Sequence, residues 1–363
     1  MLGDWVASHL STKIIQIHPQ FPEIDRIAQC AKIVRQGGLV IFPTETVYGI
    51  AANFENKKAM ERLREVKKRS ENKPFAVLIS QRSNLIQLTS STNPMIFKLA
   101  DRFWPGPLTL IVPAKEEGQT IGIRMPDHAI ALNLVQEAQC TVAAPSANLE
   151  GKDPPKTMAE ALAELDGLVD AAIDGGPAQW GKSSTVVDCL QTPPKVLREG
   201  VIAPADIERV AKQKTILFVC TGNSCRSVMA EYMAKKMLGG RDNVEVISAG
   251  TSVFIRSGAS AETIHVLRRE GMDATYHQAQ PLSAIMLRKA DLILVMTNTH
   301  RQHIVERMPE VEKRVYLLRE FANIPGGSHL ELDIPDPIGK SPQEYEECLG
   351  VIKEAMAKVV DLI

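Results

Sequence analysis

A chain of 363 residues with 44% hydrophobic and 23% charged side chains has the composition of a soluble globular protein, long enough for two domains with separate cores. Its formal net charge of −1 excludes a global basic footprint for nucleic acid, and no apolar run approaches the length of a membrane span. Six scattered cysteines exclude a disulfide framework, and the first residues, MLGDWVASHLSTK, lack the apolar core of a signal peptide, so a cytoplasmic protein is expected.

In chain order, KIIQIH reads as a strand, IDRIAQCAKIVRQGG as a helix closed by glycine, and LVIFPT as a strand. FAVLIS, LTLIVPA, TVAAPS and STVVDC are further short apolar or β-branched runs bounded by Pro, Ser or Gly. No G-x-x-x-x-G-K-[ST] and no usable G-x-G-x-x-G is present, so a nucleotide site here must be built otherwise. FPTETVYGI sets Thr44, Tyr48 and a carboxylate at a strand end. Lys67 and Arg69 follow a helix and can place two cations over one polyphosphate. Arg124, after an apolar strand, suits a carboxylate, and Ser146 and Asn148 in PSAN suit ribose or phosphate. Ser184 and Arg198 complete the set. Each has a plainer reading. KKRSENK can be a solvated loop, PSAN a turn with a helix cap, Arg198 a surface ion pair, and Thr44 and Tyr48 can satisfy each other in a core. Lys67, Lys68, Arg69 and Lys73 can also meet RNA phosphates, the basis of an alternative reading as an RNA-binding module.

LREGVIAPADIERVAKQKT reads as a helical linker, with a domain boundary near residue 213. After it the strand–helix alternation restarts with TILFVC, SVMAEYMAKKML, VEVISAG, DLILVMT and VYLL, and a last helix begins near Pro342. Such alternation implies a parallel sheet covered on both faces, with ligands at the carboxyl ends of its strands. At the end of the first of these strands stands CTGNSCR, with five residues between Cys220 and Arg226. A loop wrapped ahead of a helix converges its N–H groups into an anion site, and Arg226 adds a two-pronged donor for phosphate. A thiol in that field ionises readily and becomes an in-line nucleophile. Gly222 permits close backbone approach, Asn223 can hold the loop in a left-handed conformation, and Ser227 can donate to the Cys220 sulfur. Asp336 is the candidate acid for the leaving group, with Asp333 its competitor.

CTGNSCRS, ISAGT, DLILVMT and DPIG, in this order, resemble the low-molecular-weight protein tyrosine phosphatase family across residues 215–363. The resemblance implies a doubly wound four-stranded parallel sheet, with Cys220 as nucleophile, Arg226 as phosphate clamp, Ser227 and Asn223 as loop support and Asp336 as general acid. It implies a phosphoprotein substrate, phosphotyrosine or phosphoarginine. Ser224 keeps the hydroxyl of the threonine that arginine phosphatases of the family carry there, and Ile338-Gly339 stands where the eukaryotic-type enzymes have a tyrosine pair. Arsenate reductases of the superfamily share CTGNSCRS, but their relay cysteines after the third strand are missing from LVMTNTHRQHIVERM, and Cys348 lies far on in the last helix. A phosphate-sensing domain is the other alternative. Cys225 is either a reversible disulfide partner of Cys220, as in the family, or a small buried cysteine.

In the first half, PTETVYG, K-x-R, FWPGPLTL, IRMP, APSAN, STVVD and LREG resemble the Sua5/YrdC family of threonylcarbamoyl-AMP synthases across about residues 13–203. That implies a twisted α/β sheet domain which converts L-threonine, bicarbonate and ATP, with Mg²⁺, into threonylcarbamoyl-AMP and pyrophosphate, for the tRNA t6A37 modification machinery and with tRNA contact possible. The family pattern places Thr44, Arg124, Ala144 (through its backbone) and Ser184 on L-threonine. It places Lys67, Arg69, Thr120, Ser146, Asn148 and Arg198 on ATP. The expected organisation is thus a synthase domain with linker at 1–213 and a phosphatase-like domain at 214–363. The usual K-G-R-P text is KKRS here.

Overall fold

The computed structural model describes residues 11–69, 74–255, 257–324 and 332–362. Ser70 and Lys73 of the basic loop lie outside the described residues. The chain forms two compact units, the second having Lys212–Ile363 as its main part.

The first unit is built on a ten-stranded sheet. Its strands are β1 (Lys13–Gln16), β2 (Val40–Phe42), β3 (Gly49–Asn53), β4 (Val77–Leu78), β5 (Leu108–Pro113), β6 (Thr120–Arg124), β7 (Val142–Ala143), β8 (Ala171–Asp174), β9 (Thr185–Asp188) and β10 (Lys195–Arg198). Their order is β1-β8-β2-β3-β7-β4-β6-β5-β9-β10. The sheet is mixed. β2 and β3 run antiparallel because the PTETVY turn between them is too short for a crossover, whereas β1 and β8, far apart in sequence, pair in parallel. The helices are α1 (Ile24–Arg35), α2 (Lys57–Lys67), α3 (Asn84–Leu88), α4 (Pro94–Phe103), α5 (Ala129–Ala138), α6 (Met158–Leu165) and α7 (Pro204–Lys212). In α1, Ile27, Cys30, Ala31 and Val34 repeat at helical spacing and form one apolar stripe, which packs with Ile130, Leu134 and Ala138 of α5 against Val40 and Phe42 of β2. The alternate residues Leu39 and Ile41 face the other way, into a core with Leu63 of α2 and Leu165 of α6.

The second unit holds a four-stranded parallel sheet, order β12-β11-β13-β14, where β11 is Lys214–Cys220, β12 Val244–Gly250, β13 Leu292–Val295 and β14 Val315–Leu317. This matches the doubly wound architecture expected from the alternation of strands and helices. Its helices are α8 (Arg226–Leu238), α9 (Ala261–Arg269), α10 (Ala284–Lys289), α11 (Asn298–Arg307), α12 (Leu318–Phe321) and α13 (Pro342–Asp361). Along β11, Ile216, Phe218 and Cys220 join a core with α8 and α13, while Leu217 and Val219 join a second core with α10 and α11. The apolar run in ILFVC therefore records a strand buried on both faces. Its period-two alternation puts Cys220 on the α8 face, at the carboxyl end of the central strand. No helix among the described residues is long and apolar enough to cross a membrane.

Candidate active sites

In the second unit β11 stops at Cys220 and α8 starts at Arg226, so the intervening residues must turn within one short loop. Asn223 makes the turn in the left-handed region, with φ 51°. Four carbonyls of this stretch are engaged by the surrounding chain. Those of Cys220, Thr221 and Ser224 accept from the N–H groups of Thr251, Ser252 and Ser260 at 2.9, 2.9 and 3.0 Å. The Asn223 carbonyl lies 3.0 Å from His277 Nε2, which must be the donor because a carbonyl only accepts. With the oxygens outward, the amides converge inward as an anion cradle ahead of the α8 N-terminus.

A proton-ordered network sits behind the cradle. Asn223 is fully buried. Its Nδ2 donates to Ser227 Oγ at 3.0 Å and Ser248 Oγ at 2.7 Å, and its Oδ1 accepts from Gln280 N at 2.9 Å. Ser248 in turn donates to the buried carboxylate of Glu231. Ser227 already accepts from Asn223, so it directs its own proton to Cys220 Sγ, 2.9 Å away.

Arg226 is buried at the mouth, where its Nη1 donates to Ile334 O at 3.1 Å and its Nη2 pairs with Asp336 Oδ2. Asp336 therefore stands at the cradle. Asp333 does not: its Oδ1 accepts from Asn298 N at 2.7 Å and caps the start of α11. Ser224, partly exposed, lies on the loop itself, its Oγ 3.6 Å from Cys225 Sγ. Cys225 is a free, buried thiol that also meets Ser260 Oγ at 3.5 Å and Tyr345 Oη at 3.7 Å. Cys348 is distant from the loop in sequence but not in space. Its thiol packs on Pro335 O at 3.8 Å, and its pKa, pushed up to about 12 by burial, keeps it protonated. It is therefore a poor nucleophile for a redox relay.

Sequence reasoning passed over Glu231, Ser248, His277 and Gly250. A Cβ on Gly250 would lie 2.5 Å from Thr221 O and 2.9 Å from Asn223 N, so only glycine lets β12 end flush against the cradle. By contrast, nothing in the protein crowds Gly222, where a Cβ would meet only Ser224 Oγ at 3.5 Å. Gly250→Ala is expected to destabilise the second unit by about 1–3 kcal/mol through overpacking. By displacing the loop it should also lower kcat/KM for a phosphomonoester by roughly 100-fold. Denaturation and steady-state kinetics on the variant check this, and wild-type kinetics would refute the steric argument.

In the first unit a cavity of about 390 Å³ gathers Thr44, Arg69, Thr120, Arg124, Ala144, Ser146, Ser184 and Arg198 on its walls. These come from strands and loops up to 154 positions apart (198 − 44), and sheet order alone assembles them. The lining includes three arginines and, among the described residues, no acid. Each arginine is held. Arg69 stacks on Phe75, its Cζ 4.8 Å from the ring centroid, and donates to Pro74 O at 2.9 Å. Arg198 Nε and Nη2 donate to Ser184 O at 3.1 and 3.0 Å, although the outer surface of the side chain stays open. Its burial against the wall, then the positive fields of Arg124 and Arg69, lower its pKa. Arg124 is buried and pairs with Glu45, Nη2 to Oε1 2.7 Å, and Glu45 is almost entirely sealed from solvent. Glu45 was read only as a carboxylate at a strand end. The structure makes it the counter-ion that orients Arg124.

Lys67 and Asn148 do not line this cavity. Lys67 is buried, and its ammonium donates to Ser146 O at 2.6 Å and to Asn148 O. Asn148 Nδ2 donates to Leu149 O at 2.9 Å and Lys152 O at 2.7 Å. The pair props up the loop that carries Ser146. Lys67 and Arg69, expected to share one polyphosphate, are separated by Lys68 in the left-handed region (φ 50°), and of the two Arg69 lines the cavity. Burial, and next the Arg69 charge, bring the Lys67 pKa down to about 8. For the same reason Lys67 cannot touch RNA phosphates, which leaves the basic-patch reading without one of its cations. Thr44 and Tyr48 do not satisfy each other either. Thr44 Oγ1 donates to Val47 O at 2.6 Å, and Tyr48 Oη donates to Gly176 O at 2.6 Å. Ser184 Oγ pairs with Thr109 Oγ1 at 2.9 Å, and Ala144 N donates to Ala76 O at 2.9 Å, so the Ala144 carbonyl is the backbone group that can serve a ligand.

Residues 32–200 match the family described as Telomere recombination (Sua5, YciO and YrdC proteins), and residues 215–363 match the family of low molecular weight phosphotyrosine protein phosphatases. The chain is 42% identical over 194 residues to threonylcarbamoyl-AMP synthase of Bacillus subtilis, a match that takes in 51% of this chain and 56% of that relative's length. It is 36% identical over 230 residues to the synthase of Pyrococcus abyssi, covering 61% of this chain and 67% of the relative. The solved structure of P. abyssi Sua5 complexed with L-threonine superposes with a TM-score of 0.53 at 31% identity, covering 67% of this chain and 85% of that one. A YwlE arginine phosphatase from Geobacillus stearothermophilus is 34% identical, covering 41% of this chain and 92% of that chain, with a TM-score of 0.37.

Proposed function

Because the chain belongs to the Sua5/YrdC family through its first unit and to the low-molecular-weight phosphatase family through its second, we propose that it carries two enzymatic activities, threonylcarbamoyl-AMP synthesis and cysteine-dependent phosphate-ester or phosphoramidate hydrolysis. The observation that carries the first is a closed wall of three arginines without a facing acid, which suits a substrate pair bearing a carboxylate and a polyphosphate. The threonine nitrogen takes up bicarbonate to give a carbamate, losing water. A carbamate oxygen then attacks the α-phosphorus of ATP, and the bond to pyrophosphate breaks. In this reading Arg124 takes the threonine carboxylate, the Ala144 carbonyl its ammonium, and Thr44 and Ser184 its remaining polar groups. Arg69 and Arg198 offset charge on the polyphosphate, with Thr120 and Ser146 as hydroxyl donors. Lys67 and Asn148 act through Ser146. Mg²⁺, where it accompanies ATP, would be carried on the phosphates and neutralise charge there. Catalysis is then chiefly positioning and charge neutralisation. The product is a substrate for the t6A37 tRNA modification machinery.

In the second unit the Cys220 thiolate attacks phosphorus in line while the bond to the leaving atom breaks and Asp336 protonates that atom. The resulting cysteinyl phosphate is hydrolysed by water whose proton returns to Asp336. The resting ion pair gives the acid its timing. A phosphoryl dianion in the cradle competes for Arg226 and so frees Asp336 from its cation to face the leaving atom.

Two assays test the proposal. With ATP, L-threonine and bicarbonate, the protein should release pyrophosphate and form an adenylate of threonylcarbamoyl mass, and Arg124→Ala should do neither. Offered phosphoarginine and a phosphotyrosine peptide side by side, with Cys220→Ser as blank, it should release phosphate from one of them. Preference for phosphoarginine would make the Ser224 hydroxyl the reader of the guanidinium. Release from neither under reducing conditions would remove the phosphoprotein assignment.

A further inference from the structure

Behind Thr221, the first residue of the cradle, stands a buried histidine that the mechanism above does not use. His300, in the first turn of α11, is 6% exposed. Its Nε2 lies 3.0 Å from Thr221 Oγ1 and its Nδ1 lies 2.7 Å from Thr297 Oγ1. We propose that His300 is a positioning residue of the phosphoryl-transfer site, held as the neutral Nε2–H tautomer so that the hydroxyl proton of the exposed Thr221 is left to donate to a phosphoryl oxygen of the substrate. The inference deepens the phosphatase reading and rests on it.

The tautomer follows from hydrogen-bond inventory. Thr297 is the N-cap of α11, and its Oγ1 already accepts from His300 N. Among the described residues its own proton has one acceptor in reach, His300 Nδ1. The distances agree: 2.7 Å is the usual length for a hydroxyl donor and 3.0 Å for an N–H donor. Nδ1 therefore accepts and Nε2 carries the hydrogen, which it gives to Thr221. Thr221 Oγ1, accepting there, keeps its proton free. In the opposite tautomer Thr221 would donate its proton to Nε2 and have none for a phosphoryl group. Burial, then the neighbouring Arg226 charge, push the His300 pKa down to about 4, with Asp336 opposing and His303 adding to the shift. The imidazole is thus neutral through the physiological range. Arg226 and Asp336 are close enough for their charges to act on the imidazole.

The test uses the full-length protein and p-nitrophenyl phosphate, with orthovanadate as a binding probe. Thr221→Val should lower kcat/KM roughly ten- to a hundredfold, the worth of one hydrogen bond to a charged group. His300→Ala should cost about as much, and the double variant no more than either single one. His300→Gln, whose amide can reach the Nε2 position, should recover most of the loss. A merely structural histidine would give losses that multiply in the double variant and no rescue by glutamine, and either result overturns the proposal. Long-range ¹H–¹⁵N NMR of the wild-type imidazole should show the neutral Nε2–H tautomer at pH 7, and an Nδ1–H form or an imidazolium also overturns it. If the wild type hydrolyses nothing, the phosphatase reading falls. The NMR tautomer and the loss of vanadate affinity in Thr221→Val still decide the role of His300.

Discussion

Cys220→Ser is expected to lower phosphatase turnover by at least about 10⁴-fold, as removal of a nucleophile that works with its partners as a unit does. Threonylcarbamoyl-adenylate formation, built on a different sheet, should stay at the wild-type rate. The size of the effect follows from what surrounds the sulfur. Ser227 directs its proton to Cys220, the cradle amides face the same point, and a serine hydroxyl at that position keeps its proton at neutral pH. Asp336→Asn should cost roughly 10²–10⁴-fold with leaving groups that need protonation, and far less with p-nitrophenolate. Asp333→Asn should cost little in the chemical step, because that carboxylate caps α11 and does not face Arg226. Equal losses for the two aspartates, irrespective of leaving group, would sink the acid assignment. Steady-state kinetics with two leaving groups of different pKa decide it.

The second large effect is expected at Glu45. Arg124 and Glu45 are both buried, and among the described residues Glu45 is the only carboxylate in an ion pair with this guanidinium. Removing one partner of such a pair leaves an uncompensated buried charge, so Glu45→Ala should destabilise the first unit by about 3–5 kcal/mol. Calorimetric titration should also show weakened L-threonine binding, because Arg124 loses the contact that sets its direction. Glu45→Gln, which keeps an acceptor of the same shape, should lose less stability while still weakening threonine binding. A loss below about 1 kcal/mol in Glu45→Ala would mean that Arg124 is oriented by its Gly106 carbonyl contact instead.

The legibility of the two sites differs, and chain distance explains why. CTGNSCRS holds strand end, loop, Cys220, Arg226 and helix start in one stretch, so its geometry is set by local rules. A left-handed Asn and a helix N-terminus need no distant partner to be inferred, and the structure shows Asn223 and α8 as that reading expects. The supports of that loop come from elsewhere. Ser248 and Gly250 on β12, His277 beyond α9 and His300 on α11 reach it only because four parallel strands end at one edge. Glycine and histidine there carry no motif, although Gly250 in ISAGT could have been suspected from its place at a strand end.

By itself the sequence determined the two-part organisation, the strand–helix alternation and the local geometry of the contiguous loop, because strand burial and helix starts follow from neighbours a few residues apart. The tertiary structure alone decided which of the dispersed polar residues share a cavity. Arg69 and Lys67, two positions apart, part company because one left-handed residue separates them and burial turns the lysine toward carbonyls. Arg69 and Arg198, far apart in the chain, meet on one wall because sheet order brings their loops together. Asp336 and Asp333 are three positions apart, the first the sequence's candidate acid and the second its competitor. The fold gives Asp333 to the start of α11 and sets Asp336 against Arg226.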